Sequence, residues 1–145
     1  MVSVLGNQLV VAIIAGLIVA VAGGYALHRL LEYKSEKTSK TAVWAAINNA
    51  DSLLKTGLIE DALEIYVEMS TEVSEAKDPE ACSRIKNGEG LCYSKLAEIG
   101  NKEDNLRKAI RAYEEGLKIL TVEKYPSYYE LVISDMERAE QMMRE

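Results

Sequence analysis

The chain has 145 residues, 48% of them hydrophobic, with 17 Lys and Arg against 23 Asp and Glu. This length accommodates one domain of modest size and a short additional segment. Residues 41–145 hold thirteen Lys and Arg against twenty-one Asp and Glu, a net charge of −8. Because so acidic a domain repels phosphate backbones, we expect no binding to nucleic acid.

The first segment is apolar. No residue between Leu9 and Leu27 is charged, and Val, Ile, Leu, Ala and Gly dominate the stretch. Together with Leu30 and Leu31 it is long enough to cross a bilayer core of about 30 Å, so residues 1–31 are predicted to be a transmembrane anchor. A cleaved signal peptide is the alternative, but residues 1–8 lack the basic side chains that such a leader needs.

Basic residues flank this segment on one side only. Arg29, Lys34, Lys37 and Lys40 follow it, and no basic residue precedes it. The positive-inside rule therefore predicts a single-pass membrane protein with its N-terminus outside and its C-terminal domain in the cytoplasm. Residues 32–40 are polar and charged, and they are predicted to form a juxtamembrane linker.

Small residues recur at every fourth position of the apolar segment, as Ala12, Gly16, Ala20 and Gly24. Small side chains at this spacing let two membrane helices approach closely. The stripe therefore predicts packing against a second copy of the chain or against another subunit of a membrane complex, without distinguishing the two. The alternative is that Gly and Ala are simply frequent in membrane helices.

Past Thr41, apolar residues recur every three or four positions, which predicts helices throughout and an all-α fold. Gly57 ends the first of these helices, and the second runs from about 59 to 75. Asp78-Pro79 is a helix start, a capping residue followed by proline, and the third helix is predicted over 79–99. The apolar faces of these three helices are Val43, Ile47, Ala50 and Leu54; Ala62, Leu63, Tyr66, Met69 and Val73; and Cys82, Ile85, Cys92, Leu96 and Ile99.

Two further helices follow. Asp104 is predicted to cap the fourth helix, and Tyr125-Pro126 breaks the chain before a last helix from about 127 to 143. The last helix is interpreted as a polar cap or, through its methionines, as an adaptable apolar face for a partner. The apolar face of the fourth helix is Leu106, Ala109, Ile110, Tyr113 and Leu117, and the methionines are Met136, Met142 and Met143.

A small residue followed four positions later by tyrosine occurs in two helices. Ala62 and Tyr66 lie in the run TGLIEDALEIYVEM, and Ala109 and Tyr113 lie in NLRKAIRAYEEGLKIL. The small residue lets a neighbouring antiparallel helix approach, and the ring fills the next gap. Both runs resemble the second helix of a tetratricopeptide repeat.

The resemblance extends over residues 41–145, and Gly90 and Tyr93 match the small and aromatic positions of a repeat's first helix. It implies a short TPR-like array of helical hairpins, about two repeats plus a C-terminal capping helix. The second unit is longer than a regular repeat and resembles the longer tetratricopeptide variety. A generic array of helical hairpins is the alternative.

Chemistry-bearing residues are few. The one histidine, His28, lies at the edge of the apolar segment, and no Gly-rich phosphate loop follows a strand. Cys82 and Cys92 are ten residues apart on one predicted helix, about 15 Å, which is too far for a disulfide. We therefore expect buried cysteines, no enzymatic activity, no metal and no cofactor.

The resemblance implies a binding groove lined by the first helix of each hairpin, with a peptide or domain of another protein as partner. Trp44 is the expected anchor, with burial against the second helix as the alternative. The Lys and Asn pair of family members that clamp a chaperone's carboxylate is absent. The implied groove residues are Trp44, Ile47, Asn48, Asp51, Lys55, Arg84, Asn87, Leu91, Ser94 and Lys95.

Two functions are consistent with this organisation. The first is a membrane-anchored adaptor or scaffold for protein–protein interaction, whose cytoplasmic TPR-like domain binds the partner. The alternative is an accessory structural subunit of a larger membrane complex, packed through its transmembrane helix. In the first case the helical domain selects the partner, and in the second the stripe of small residues does.

Overall fold

The structure, a computed structural model, describes residue 29 and residues 39–145. The chain divides into two compact units, Met1–Ser39 and Lys40–Glu145. The predicted transmembrane anchor, its packing stripe and most of the predicted linker lie outside the described residues, and they stay predictions. Within the described part of the chain, no helix combines the length and the apolar character that crossing a membrane requires.

From Lys40 onward the chain is helical. Residues 39–56 belong to helix α1, and α2 (Ile59–Glu72), α3 (Pro79–Ile99), α4 (Lys102–Ile119) and α5 (Pro126–Arg144) follow. No residue of 39–145 lies in a strand. The all-α prediction is confirmed, and the predicted helix bounds agree to within a few residues.

Two helix boundaries follow from local chemistry. Gly57 adopts a φ of +86°, a left-handed conformation that glycine accepts without strain, and this turn separates α1 from α2. At the start of α3, Asp78 Oδ1 accepts a hydrogen bond of 3.1 Å from the backbone N–H of Ala81, and Pro79 occupies the first helical position. Both boundaries were predicted from these residues.

The predicted cap of α4 is wrong. Asp104 does not precede α4 but lies in its first turn, where its carboxylate is 2.7 Å from the Lys108 ammonium. The helix instead begins after Asn101, which has a φ of +48° and no capping bond from its side chain. Asn105 closes the turn by donating to the carbonyl oxygen of Gly100 at 2.9 Å.

Helix α3 is the central element, and it contacts α2, α4 and α5. One core cluster joins α3 to α1 and α2, and a second joins it to α4 and α5. Ile99, in the last turn of α3, is 72% exposed, against prediction. Cys92 is buried as predicted, whereas Cys82 is half-buried, and both thiols are free.

Two glycines of α3 receive the rings of Tyr66 on α2 and Tyr113 on α4, and both tyrosines are 0% exposed. A Cβ on Gly88 would lie 2.4 Å from the ring of Tyr66, and a Cβ on Gly90 would lie 2.5 Å from the ring of Tyr113. Because positions two apart on a helix are about 200° apart around it, α2 and α4 approach α3 from different sides. The sequence analysis predicted close packing at these tyrosines and assigned Gly90 to the small position of a repeat's first helix. It predicted neither the role of Gly88 nor the contact of either glycine with a tyrosine ring.

A period of 47 residues relates α2 and α3 to α4 and α5. Tyr66 matches Tyr113, and Pro79 matches Pro126, each pair being 47 positions apart. The connecting turns match as well, since Lys77 donates to the Ser74 carbonyl at 3.0 Å and the residues 47 positions later repeat this bond at 3.2 Å. The sequence analysis missed this period, although buried residues carry it: Ile59 and Leu106, Ala62 and Ala109, Ile85 and Val132, Cys92 and Ala139.

Candidate docking face on α1, α3 and α5

A cluster of polar side chains joins four helices at one point. Asp51 of α1 accepts a hydrogen bond from the hydroxyl of Tyr66 on α2 and forms an ion pair with Arg84 of α3. The guanidinium of Arg84 lies 5.8 Å from the centroid of the Tyr128 ring on α5, within reach of a cation–π interaction. The cluster therefore fixes α1, α3 and α5 relative to one another.

Burial sets the protonation of this cluster. It raises the pKa of Tyr66 well above the ordinary value, and the hydrogen bond and charge of Asp51 raise it further. For Arg84, partial burial alone would lower the pKa, but the bond to Asp51 and its charge hold it above the ordinary value. Tyr66 thus remains a neutral donor and Arg84 a cation across the physiological range of pH.

Two polar atoms beside the cluster have no hydrogen-bond partner within the described part of the chain. They are Oδ1 of Asn87, a residue only 3% exposed, and the hydroxyl of Tyr128. Burial raises the pKa of Tyr128, and interactions with Arg84 and Asn87 partly offset this rise. A buried polar atom without a partner costs about 1–3 kcal/mol of stability. Among the described residues, these two atoms mark the place where buried side-chain hydrogen bonding is least complete.

The residues predicted for the groove separate into two sets. Asp51, Arg84 and Asn87 are brought together, whereas Ile47 is fully buried in the first core cluster and offers no surface to a partner. Ser94 faces α4, where its hydroxyl is 3.3 Å from that of Tyr113. The exposed members are Asn48, Lys55 and Lys95, and Leu91 is half-buried.

Trp44 has a structural contact that neither sequence-based interpretation foresaw. It is half-buried against the first core cluster, and its indole N–H donates to Asp78 Oδ2 at 3.2 Å. The same carboxylate oxygen is 3.2 Å from the Lys40 ammonium. Burial alone would raise the pKa of Asp78, but the bonds from Ala81, Lys40 and Trp44 hold it below the ordinary value. Trp44 thereby links α1 to the start of α3.

Helix α5 contributes residues that the sequence analysis did not assign to the groove. Tyr128 meets Arg84, and Leu131, one helical turn later, is 50% exposed. The period of 47 would have indicated Leu131, because it matches Arg84. We define the docking face as Asn48, Asp51, Lys55, Arg84, Asn87, Leu91, Lys95, Tyr128 and Leu131.

Asp135, also on α5, is a second carboxylate with little exposure, at 9%. Burial raises its pKa, and Arg138, whose Nη1 is 3.6 Å from Asp135 Oδ1, opposes the shift. The folded state therefore holds this proton more tightly than the unfolded chain does. As pH rises past the unfolded pKa of about 4, ionisation of Asp135 costs the folded state stability.

We accordingly expect Asp135→Asn to raise the melting temperature of the domain at pH 7. At pH 3 the difference from the unchanged chain should vanish, because the carboxyl is then protonated in both states. Thermal unfolding followed by circular dichroism at the two values measures this. Glu137→Gln, an exposed carboxylate on the same helix, is the control, and an equal gain at both values would contradict the assignment.

The docking face offers chemistry for binding: lysine ammonium groups, a guanidinium, an aromatic ring and an exposed leucine. Among the described residues, no group of three or more His, Cys, Asp or Glu is arranged to hold a metal ion. The chain has no match among protein-family models, curated proteins or solved structures.

Proposed function

We propose that this chain is a membrane-anchored adaptor. In this function residues 40–145 bind a segment of another protein on the docking face, while residues 1–31 hold the domain at a membrane. The observation that supports it best is the cluster of Asp51, Arg84 and Tyr128, which fixes three helices as one surface with exposed side chains around it. The proposal includes no catalytic step, metal or cofactor.

A TPR-like arrangement of this domain is part of the proposal. The consecutive helices joined by short connections and the tyrosines packed on glycines support it, although the period of 47 exceeds the 34 or so of a regular repeat. A capping role for α5 has its own support. Ser83 and Gly90 of α3 contact α4. The matching residues of α5, 47 positions later, are the exposed acids Glu130 and Glu137.

The membrane part of the proposal depends on the sequence. The uncharged stretch from Leu9 to Leu27 and the basic residues that follow it support a single-pass anchor with the helical domain in the cytoplasm. The alternative function, an accessory structural subunit of a membrane complex, uses the stripe of small residues for recognition instead.

Site-specific photo-crosslinking in native membranes tests where the partner binds. A photoreactive amino acid at Asn48 or Lys95, both exposed on the docking face, should capture the same protein. The same amino acid at Val67, which is 44% exposed on α2, should not capture it. Crosslinks of equal yield from all three positions, or none from the face, would contradict docking on this surface.

Two sets of variants distinguish the adaptor from the accessory subunit. If the chain is an adaptor, the captured protein persists in a Gly16→Leu and Gly24→Leu double variant, and its crosslinking yield from Asn48 changes with Lys95→Glu. If the chain is an accessory subunit, the outcome is reversed, because leucines prevent the close approach of membrane helices. Quantitative mass spectrometry of the crosslinked protein reads out both.

A further inference from the structure

We infer that the segment bound by the docking face is acidic, extended and carries an apolar side chain; this inference rests on the proposed function. Charge is the first argument. Lys55 and Lys95 are exposed and form no ion pair with any described residue, while the charge of Asp51 is matched by Arg84. The face is thus positive, although residues 41–145 as a whole carry a net charge of −8. Carboxylates of a partner complement it.

Dimensions give the second argument. From Arg84 to Lys95 the face extends eleven residues along α3, about 16 Å. An extended chain covers this length with about five residues. Leu131 is half exposed and Leu91 half-buried, so apolar surface accompanies the cations. An apolar residue flanked by acids fits this arrangement.

The unpartnered atoms give the third argument, which is independent of charge. Asn87 Oδ1 is an acceptor without a donor, and the hydroxyl of Tyr128 beside it does not donate to it. The inference requires that the Tyr128 side chain rotate in the bound state, so that Asn87 becomes accessible to a strand on the face. A backbone N–H of that strand is then the missing donor.

A defined probe tests the charge. The probe is a fluorescein-labelled ten-residue peptide with one central leucine flanked by glutamates, titrated with the full chain in mild-detergent micelles and followed by fluorescence anisotropy. We expect binding that weakens with added salt and falls about tenfold, or 1.4 kcal/mol, when Lys55→Glu and Lys95→Glu are combined. The same peptide with lysines in place of the glutamates should not bind.

Lys102→Glu combined with Lys118→Glu, the same charge change at two exposed lysines of α4, is the matched control. An equal loss with this variant would mean long-range attraction without docking, and it would overturn the inference. A basic segment captured by the photo-crosslinks would also overturn it while leaving the proposed function intact. The absence of crosslinks from the face would instead contradict the proposed function itself.

Asn87→Leu separates binding from folding. Leucine removes the unsatisfied carbonyl oxygen, so we expect a higher melting temperature together with weaker binding of the glutamate peptide. Unchanged binding would contradict the role of Asn87 in recognition. A lower melting temperature would contradict it too, because it would mean that Asn87 bonds to Tyr128 in the free domain.

Discussion

Replacing Gly90 by alanine is expected to lower the free energy of unfolding by about 2–3 kcal/mol. The new Cβ would lie 2.5, 2.7 and 2.8 Å from three atoms of the Tyr113 ring, closer than van der Waals contact permits. The ring cannot move aside, since it is fully buried between α3 and α4. Alanine gains about 1 kcal/mol of helix propensity over glycine, which offsets only part of this cost. Gly88→Ala should behave alike, because its Cβ would lie 2.4 Å from two atoms of the Tyr66 ring.

Denaturant unfolding of the full chain in detergent, followed by circular dichroism, measures these costs. Gly100→Ala is the control, because its backbone is extended and nothing lies within 4 Å of the added Cβ. In a double-mutant cycle, Tyr113→Leu should relieve much of the cost of Gly90→Ala. If Gly88→Ala and Gly90→Ala proved as harmless as Gly100→Ala, the tyrosine rings would not pack on these glycines.

The features of the fold that were predicted correctly depend on local chemistry. Gly57 ends α1 and Asp78 with Pro79 starts α3 because capping involves only residues a few positions apart. Burial of Tyr66 and Tyr113 followed from helical periodicity. The predicted burial of Ile99 was wrong, because periodicity assigns a residue to a face of its helix but does not reveal how far a neighbouring helix extends along that face.

The site was only partly predictable. The resemblance assigned Asp51 and Arg84 to a groove, but their ion pair joins residues 33 positions apart, and the register between α1 and α3 is set by packing. Ile47 is buried, as the periodicity of α1 predicted. Its assignment to the groove was wrong, because each position of error in register turns a residue by about 100° around a helix. Leu131 was missed because the period of 47 was not recognised.

Removal of the Asp51 carboxylate is the second change with a large expected effect. Asp51→Ala should lower the free energy of unfolding by about 2–3 kcal/mol, because hydrogen bonds to charged groups contribute about 1.5–3 kcal/mol each. The hydroxyl of the fully buried Tyr66 loses its acceptor. Arg84 loses its counter-charge, but its side chain is 37% exposed, so water compensates for part of that loss.

Two comparisons identify the source of this cost in denaturant unfolding. Asp51→Asn retains an acceptor for Tyr66 and should cost about 1 kcal/mol. In a Tyr66→Phe background, Asp51→Ala should cost less than in the unchanged chain, because no hydroxyl is left without a partner. Asp104→Ala, which removes an exposed carboxylate paired with Lys108, should leave stability nearly unchanged. If Asp51→Ala cost no more stability than Asp104→Ala, the cluster would not hold α1, α2 and α3 together.

The variant Asp51→Asn also tests how the stability of the domain is related to the charge of its docking face. Asp51→Asn removes the one carboxylate of the face and leaves Arg84 without its ion pair, so the face becomes more positive. We therefore expect Asp51→Asn to bind the glutamate peptide more tightly while it unfolds more easily. Asn87→Leu should do the opposite in both respects. If affinity instead fell with stability in both variants, their effects on binding would come from loss of folded domain, and the charge of the face would not select the partner.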